Sequence, residues 1–191
     1  EAVPTAPQPQ PSRGALPLNF LCSDERSQQY LNTLARRAGD YSGFNLIAGT
    51  AAELYYYSNR DSAAPQLLTT GYYGLSNGLL DSPWAKVDSS RALLQDIVEQ
   101  DKQRSSSVGA TALAQQLLLM MRDNQLANPQ NLPNTGIPAT LEHQLSSRFI
   151  EHTELPSYGT RATSVILIDR HHKAHFFERS FNKEGLVKAD V

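Results

Sequence analysis

Apolar positions along the chain switch between helical and extended spacing, and the switches mark out its elements. After Ser23, a residue type that caps helix N-termini, Tyr30, Leu31, Leu34, Ala35 and Ala38 recur at helical spacing, and Gly39 is placed to end the run. One helix is predicted there. Phe44–Ala48 and Glu53–Ser58 are aromatic, strand-forming runs separated by the turn-like GTAA, and Leu67–Leu75 reads as a third strand broken by Gly71. A second helix starts from Asp88 or Ser89 with Leu93, Leu94, Ile97 and Val98 inward, and a third covers Thr111–Asn124 with Leu113, Leu117, Met120 and Met121 inward. The polar DKQRSSSVG and the Pro/Asn-rich ANPQNLPNTGIP are loops. Ser164–Ile168 and Ala174–Phe181 form a hairpin joined across Asp169–Lys173. A meander and a hairpin flanked by paired helices predict an α+β fold with helices covering sheet faces.

Composition narrows the classes of function. Residues 1–11, EAVPTAPQPQP, are rich in Pro and Gln without apolar periodicity and read as a linker or disordered tail, which leaves one expected domain over 12–191. With 191 residues, 40% hydrophobic and 19% charged, such a chain hides about 70% of its unfolded surface on folding. Its 17 basic and 19 acidic residues are interspersed, for a net charge of −2. No basic block is present for counterion release onto nucleic acid, so no nucleic-acid partner is expected. The longest apolar run, Leu117 to Met121, is far shorter than the ~20 residues that span a bilayer. Neither a transmembrane segment nor a leader is expected. Cys22 is the single cysteine; it excludes an internal disulfide and a thiolate zinc site, and cytoplasm is the expected location. Oligomeric state leaves no trace in these patterns.

Several residues invite a chemical reading. His171, His172 and His175 lie within five positions, but the first two fall in the predicted turn and neighbouring side chains of an extended chain diverge. A solvated turn is expected there and no metal site. His143 and His152 have no Ser/Asp arrangement around them. Tyr55, Tyr56 and Tyr57, before Asn59-Arg60-Asp61, read as core rings on both faces of a covered strand, with a strand-end turn after them. Asn77, flanked by Ser76 and Gly78 ahead of an Asp-Ser-Pro corner, is either a turn residue tolerating left-handed backbone or an amide aimed at an oxygen that gains charge during acyl transfer. Arg161, at the start of an apolar strand, is either a solvated strand end or a fork donor for a carboxylate or oxyanion.

The segments SRGALPLNFL, YSGFNLIAG, YYYSNR, YGLSNGLLDSPWAKV, YGTRATSVILID and FFERSF, in that order from Ser12 to Phe181, together resemble the transport and Golgi organisation protein 2 family, also called the NRDE family. That family carries an N-terminal Met-Cys and an Asn-Arg-Asp-Glu motif; Asn59-Arg60-Asp61 continues with Ser62 and is a different motif, so the domain is expected to be N-terminally incomplete. More distantly the layout is similar to N-terminal-nucleophile hydrolases, which implies an αββα sandwich, here without its first strands. The resemblance implies Asn77 as the oxyanion asparagine and Arg161 as the later charge-supporting arginine. The nucleophilic cysteine is expected outside this sequence, because Cys22 is not in the matching motif; a buried or partly buried structural thiol is expected there. Small-molecule handling, of haem or an acyl lipid, follows as the implied function. Amide hydrolysis or acyl transfer by complete relatives, or a non-catalytic interaction module, are the alternatives.

Overall fold

In a computed structural model of the chain, residues 11–61, 63–103, 109–151, 155 and 158–191 are described. They belong to two compact units, 1–71 and 72–191. The fold is α+β in each, as the alternation of periods predicts.

The first unit holds α1 (Ala15–Leu21), α2 (Ser27–Ala35) and a three-stranded antiparallel sheet, β1 (Asn45–Gly49), β2 (Leu54–Ser58) and β3 (Gln66–Leu68), in that order. Ala48 pairs with Tyr55 and Leu46 with Tyr57, which sets these four on one sheet face. Tyr30, Leu31 and Leu34 of α2 join that face, with Leu16 and Phe44, in one buried cluster. Tyr56 takes the opposite face, is also buried, and donates from its hydroxyl to Asn45 Oδ1 at 2.8 Å. The expectation of rings on both faces therefore holds.

The helix expected after Ser23 is α2, and α1 precedes it in a stretch where no helix was expected. Pro17 falls in the first turn of α1, where its missing N–H is not needed. Ser23 serves that helix rather than α2, donating from Oγ to Phe20 O at 2.9 Å. Cys22 lies just beyond α1 and is exposed, which corrects the expected buried thiol: the face of α1 that packs inward is the one bearing Leu16.

The second unit contains α3 (Ala85–Gln103), α4 (Gly109–Met120), α5 (Ala139–Gln144) and a second antiparallel sheet, β4 (Ala162–Ile168), β5 (Ala174–Phe181) and β6 (Val187–Asp190), in that order. Ala114, Leu117 and Leu118 of α4 bury against Val165, with Leu94 and Ile97 of α3 and Leu167 and Phe177 of the sheet around them. The inward stripe of α4 thus runs through Ala114 and Leu118 and does not reach Met120 or Met121. A smaller cluster sets Phe149 against Phe181, ring centroids 4.7 Å apart, beneath the Arg122 guanidinium at 4.0 Å from the Phe149 ring. Among the described residues no helix is long and apolar enough to cross a membrane. The expected 1–11 tail falls almost entirely outside the described residues, as does part of the DKQRSSSVG loop.

Candidate functional site

The stretch from Tyr73 to Val87 forms a closed loop feeding α3. Its ends are clasped at Gly74 and Asp81: the Gly74 N–H donates to Asp81 Oδ1 at 2.7 Å, and the Asp81 N–H returns a bond to Gly74 O at 2.8 Å. Asp81 has φ of 56°, so the left-handed position in the loop is Asp81, not Asn77. Gly78 packs closely: a Cβ there would stand 2.6 Å from Ser82 Oγ and 3.1 Å from the Trp84 ring, so Ser82 would have to turn and the ring to give slightly. The Trp84 carbonyl then accepts from Val87 and Asp88 N–H and starts α3 three residues before the expected cap.

Asn77 is exposed on this loop at the edge of a cavity of about 460 Å³, its open mouth included. Trp84, Pro133, Ile137 and Leu145 give the cavity apolar walls, and Lys86, Thr135 and Glu142 contribute polar groups. Glu142 is buried on α5, where Oε1 accepts the Thr135 N–H at 2.8 Å and the Thr135 hydroxyl. Lys86 donates from Nζ to Leu145 O at 2.7 Å and lies 5.9 Å from the Trp84 ring centroid. Burial holds its pKa below the ordinary lysine range, and the Glu142 charge opposes that fall. A carboxylate and an ammonium thus balance within one wall. Among the described residues the Asn77 carboxamide has no hydrogen-bond partner, so its Nδ2–H is available to a ligand oxygen at the mouth.

Arg161 lines a different cavity, with Glu151, Tyr158, Thr160, Asn182 and Lys183. Asn77 and Arg161, which the resemblance joins in one oxyanion site, each line a cavity of their own. The segment before β4 explains the placement: the Thr160 N–H donates to Ile150 O at 2.8 Å and the Ile150 N–H to Thr160 Oγ1 at 2.9 Å, which pins the strand start beside residue 150. Lys86, Glu142 and Thr135 were not singled out from the sequence. Lys86 sits in the quoted YGLSNGLLDSPWAKV, but Glu142 is 56 positions further along and joins it only through tertiary packing.

His171 and His172 are exposed in the β4–β5 turn, as expected, where Asp169 Oδ1 accepts the N–H groups of His171 at 2.8 Å and Lys173 at 2.9 Å. These bonds, that from Lys173 foremost, hold the Asp169 carboxyl below the usual carboxylate range. His152 lies outside the described residues. Among the described residues no group of three His, Cys, Asp or Glu side chains is placed to hold a metal ion. Haem iron needs an axial side chain, and none of the residues lining the Asn77 cavity is His, Cys, Met or Tyr. This cavity does not fit haem.

The α+β chain has an apolar-walled cavity lined by two carboxamides, Asn77 and Asn131, without a side-chain hydrogen-bond partner among the described residues. Its residues 2–183 match the family model described as Transport and Golgi organisation 2, and the chain belongs to that family. It is 36% identical over 177 residues to the Transport and Golgi organization protein 2 homolog of Bos taurus, across 88% of this chain and 61% of that protein. The Homo sapiens homolog is 32% identical over 179 residues, across 91% of this chain and 63% of that protein. Transport and Golgi organization protein 2 of Drosophila melanogaster is 28% identical over 177 residues, across 88% and 60%. The chain spans about three-fifths of the length of the curated relatives it matches.

Proposed function

We propose that the chain handles a small acyl compound in the Asn77 cavity, with the ligand's hydrocarbon part against Trp84, Pro133, Ile137 and Leu145 and its carbonyl oxygen facing Asn77 Nδ2. The observation that carries this is the unpartnered Asn77 carboxamide at the mouth of an apolar-walled cavity. An amide donor can bond a carbonyl oxygen, and a wall carrying both the Lys86 and Glu142 charges favours a neutral ligand over an ion. Of the two ligand classes that the family resemblance implies, the lipid-related one suits this lining better than haem.

The same amide supports a second reading. An amidohydrolase or acyl transferase needs a donor where the carbonyl oxygen becomes an oxyanion, and Asn77 would supply it in a longer protein bearing the nucleophilic cysteine. Each unit by itself is a three-stranded sheet with helices on one face and exposed apolar side chains on the other, Ile47 and Leu54 in the first and Ile166, Ile168 and Phe176 in the second. A cytoplasmic setting is likewise proposed, on the lone Cys22.

Trp84 is the only tryptophan, so binding in this cavity is read directly from intrinsic emission. Titration with a straight-chain fatty acyl amide should change Trp84 emission saturably, while haem should give no saturable Soret shift through this site. An unresponsive Trp84 in a folded protein contradicts the proposal.

A further inference from the structure

Arg161 was singled out by its sequence position, yet it has no part in the Asn77 cavity. Its own cavity, about 550 Å³ with its open mouth, has a one-sided hydrogen-bonding inventory. The acceptors in its side-chain lining are already engaged. Glu151 lies 3.5 Å from Arg122 Nη2 through Oε1 and accepts Asn124 Nδ2 at 2.8 Å through Oε2. Asn182 Oδ1 accepts the N–H groups of Glu184 at 3.1 Å and Leu186 at 2.8 Å, closing the β5–β6 turn. Thr160 Oγ1 accepts the Ile150 N–H.

Donors remain. The Arg161 guanidinium has no side-chain partner among the described residues. Lys183 has a single long contact to Glu184, 3.8 Å between two exposed side chains, which solvent screens to little effect. With Oδ1 of Asn182 committed to the turn, its Nδ2 group faces no described acceptor, and the Thr160 hydroxyl proton is also free to donate. Among the described residues, two cations and two neutral donors therefore line one concavity whose single carboxylate is held by Arg122 and Asn124. Arginine matches a planar or tetrahedral oxyanion through two parallel N–H bonds, and charge-assisted bonds of that kind are the stronger ones.

We propose that this cavity is a binding site for a small oxyanion, a phosphate or carboxylate group, gripped by Arg161 and Lys183 with Asn182 Nδ2 and Thr160 Oγ1 as supporting donors. The site is separate from the acyl cavity, and neither depends on the other.

The test is calorimetric titration of the whole chain with inorganic phosphate and, in a second arm, with acetate, at one ionic strength set by chloride. Saturable binding of phosphate or acetate is expected. Phosphate alone binding assigns the site to phosphorylated ligands, and acetate binding equally well assigns it to carboxylates. Arg161→Gln should weaken binding about tenfold or more, Arg161→Lys should recover part of it, and Asn77→Ala should leave it unchanged. Lys183→Gln, at an exposed position, should weaken it as well and guards against a folding defect in the Arg161 variants. Absence of saturable binding for both anions overturns the proposal, and so does binding that survives Arg161→Gln and Lys183→Gln undiminished. Either result leaves the Asn77 reading standing.

Discussion

The Lys86 ammonium donates to the Leu145 carbonyl at 2.7 Å, tying the first turn of α3 to the residue that follows α5. Glu142, buried one turn earlier, lends its charge to the same ammonium. Removing one member takes that attraction from the other, although Thr135 still bonds Glu142 and the Leu145 carbonyl still accepts from Lys86. Lys86→Met should destabilise the protein by about 1–3 kcal/mol, less than for a fully buried pair because Lys86 is only half-buried. Combining it with Glu142→Gln should cost less than the sum, with a coupling of about 1 kcal/mol. Urea unfolding of the four proteins at pH 7 measures this, and strict additivity would show that the two charges do not sense each other.

Tyr30 donates from its hydroxyl to Leu16 O at 2.6 Å inside the first unit. Burial raises its phenol pKa above the ordinary value, and the Arg37 charge opposes the rise. The folded state keeps this proton at a pH where the unfolded chain has lost it. Its contribution is thus complete below pH about 10 and falls away as pH climbs through the folded value. Tyr30→Phe should lower stability at pH 7 by about 1 kcal/mol and make the alkaline decline shallower. Denaturant midpoints between pH 7 and 11 would show an unchanged slope if Tyr30 stayed exposed.

Asn59 explains why the segments containing Phe44 and Asn59 act as a unit. Its Oδ1 accepts the Phe44 N–H at 2.8 Å and its Nδ2 donates to Ala38 O at 3.0 Å and Tyr41 O at 3.2 Å. Asn59→Ala leaves these backbone groups unpaired and should cost about 2–3 kcal/mol. Near-UV circular dichroism of the tyrosine cluster during thermal unfolding checks it; a change under 0.5 kcal/mol, about the size of a surface substitution, would deny the clasp.

Gly78 keeps the Asn77 loop against Trp84. Gly78→Ala meets Ser82 and the Trp84 ring, so it should displace the loop, alter Trp84 emission and weaken acyl-ligand binding several-fold, with a stability loss within about 1–3 kcal/mol. Unaltered binding would mean that the loop's position does not matter to the ligand.

Much of the architecture was legible where one period dominates. The tyrosine alternation at Tyr55–Tyr57 and the apolar run at Val165–Leu167 located β2 and β4, and the α+β class followed from them. Elements defined by their neighbours were not legible. Val187–Asp190 alternates apolar and polar over only four residues, too short a run to stand out, and becomes β6 by pairing with Arg179–Phe181. The first helix is seven residues with a proline in its first turn, and α5 has six residues, too few to show a period. The start of α3 was missed because Trp84 begins it through its carbonyl without a side-chain cap. At the site, the amide of Asn77 was visible as a position, whereas Lys86 beside Glu142 arises from packing between distant segments. Arg161 showed a strand start without showing which cavity it would line.

Contact between the Asn77 amide and a ligand carbonyl is measured by a pair of affinities read from Trp84 emission. A fatty acyl amide and an otherwise matched alkane derivative without the carbonyl are titrated into the wild type and Asn77→Ala. The carbonyl should strengthen binding about threefold to tenfold in the wild type and give no advantage in the variant. An equal carbonyl advantage in both proteins, or none in either, would contradict that contact.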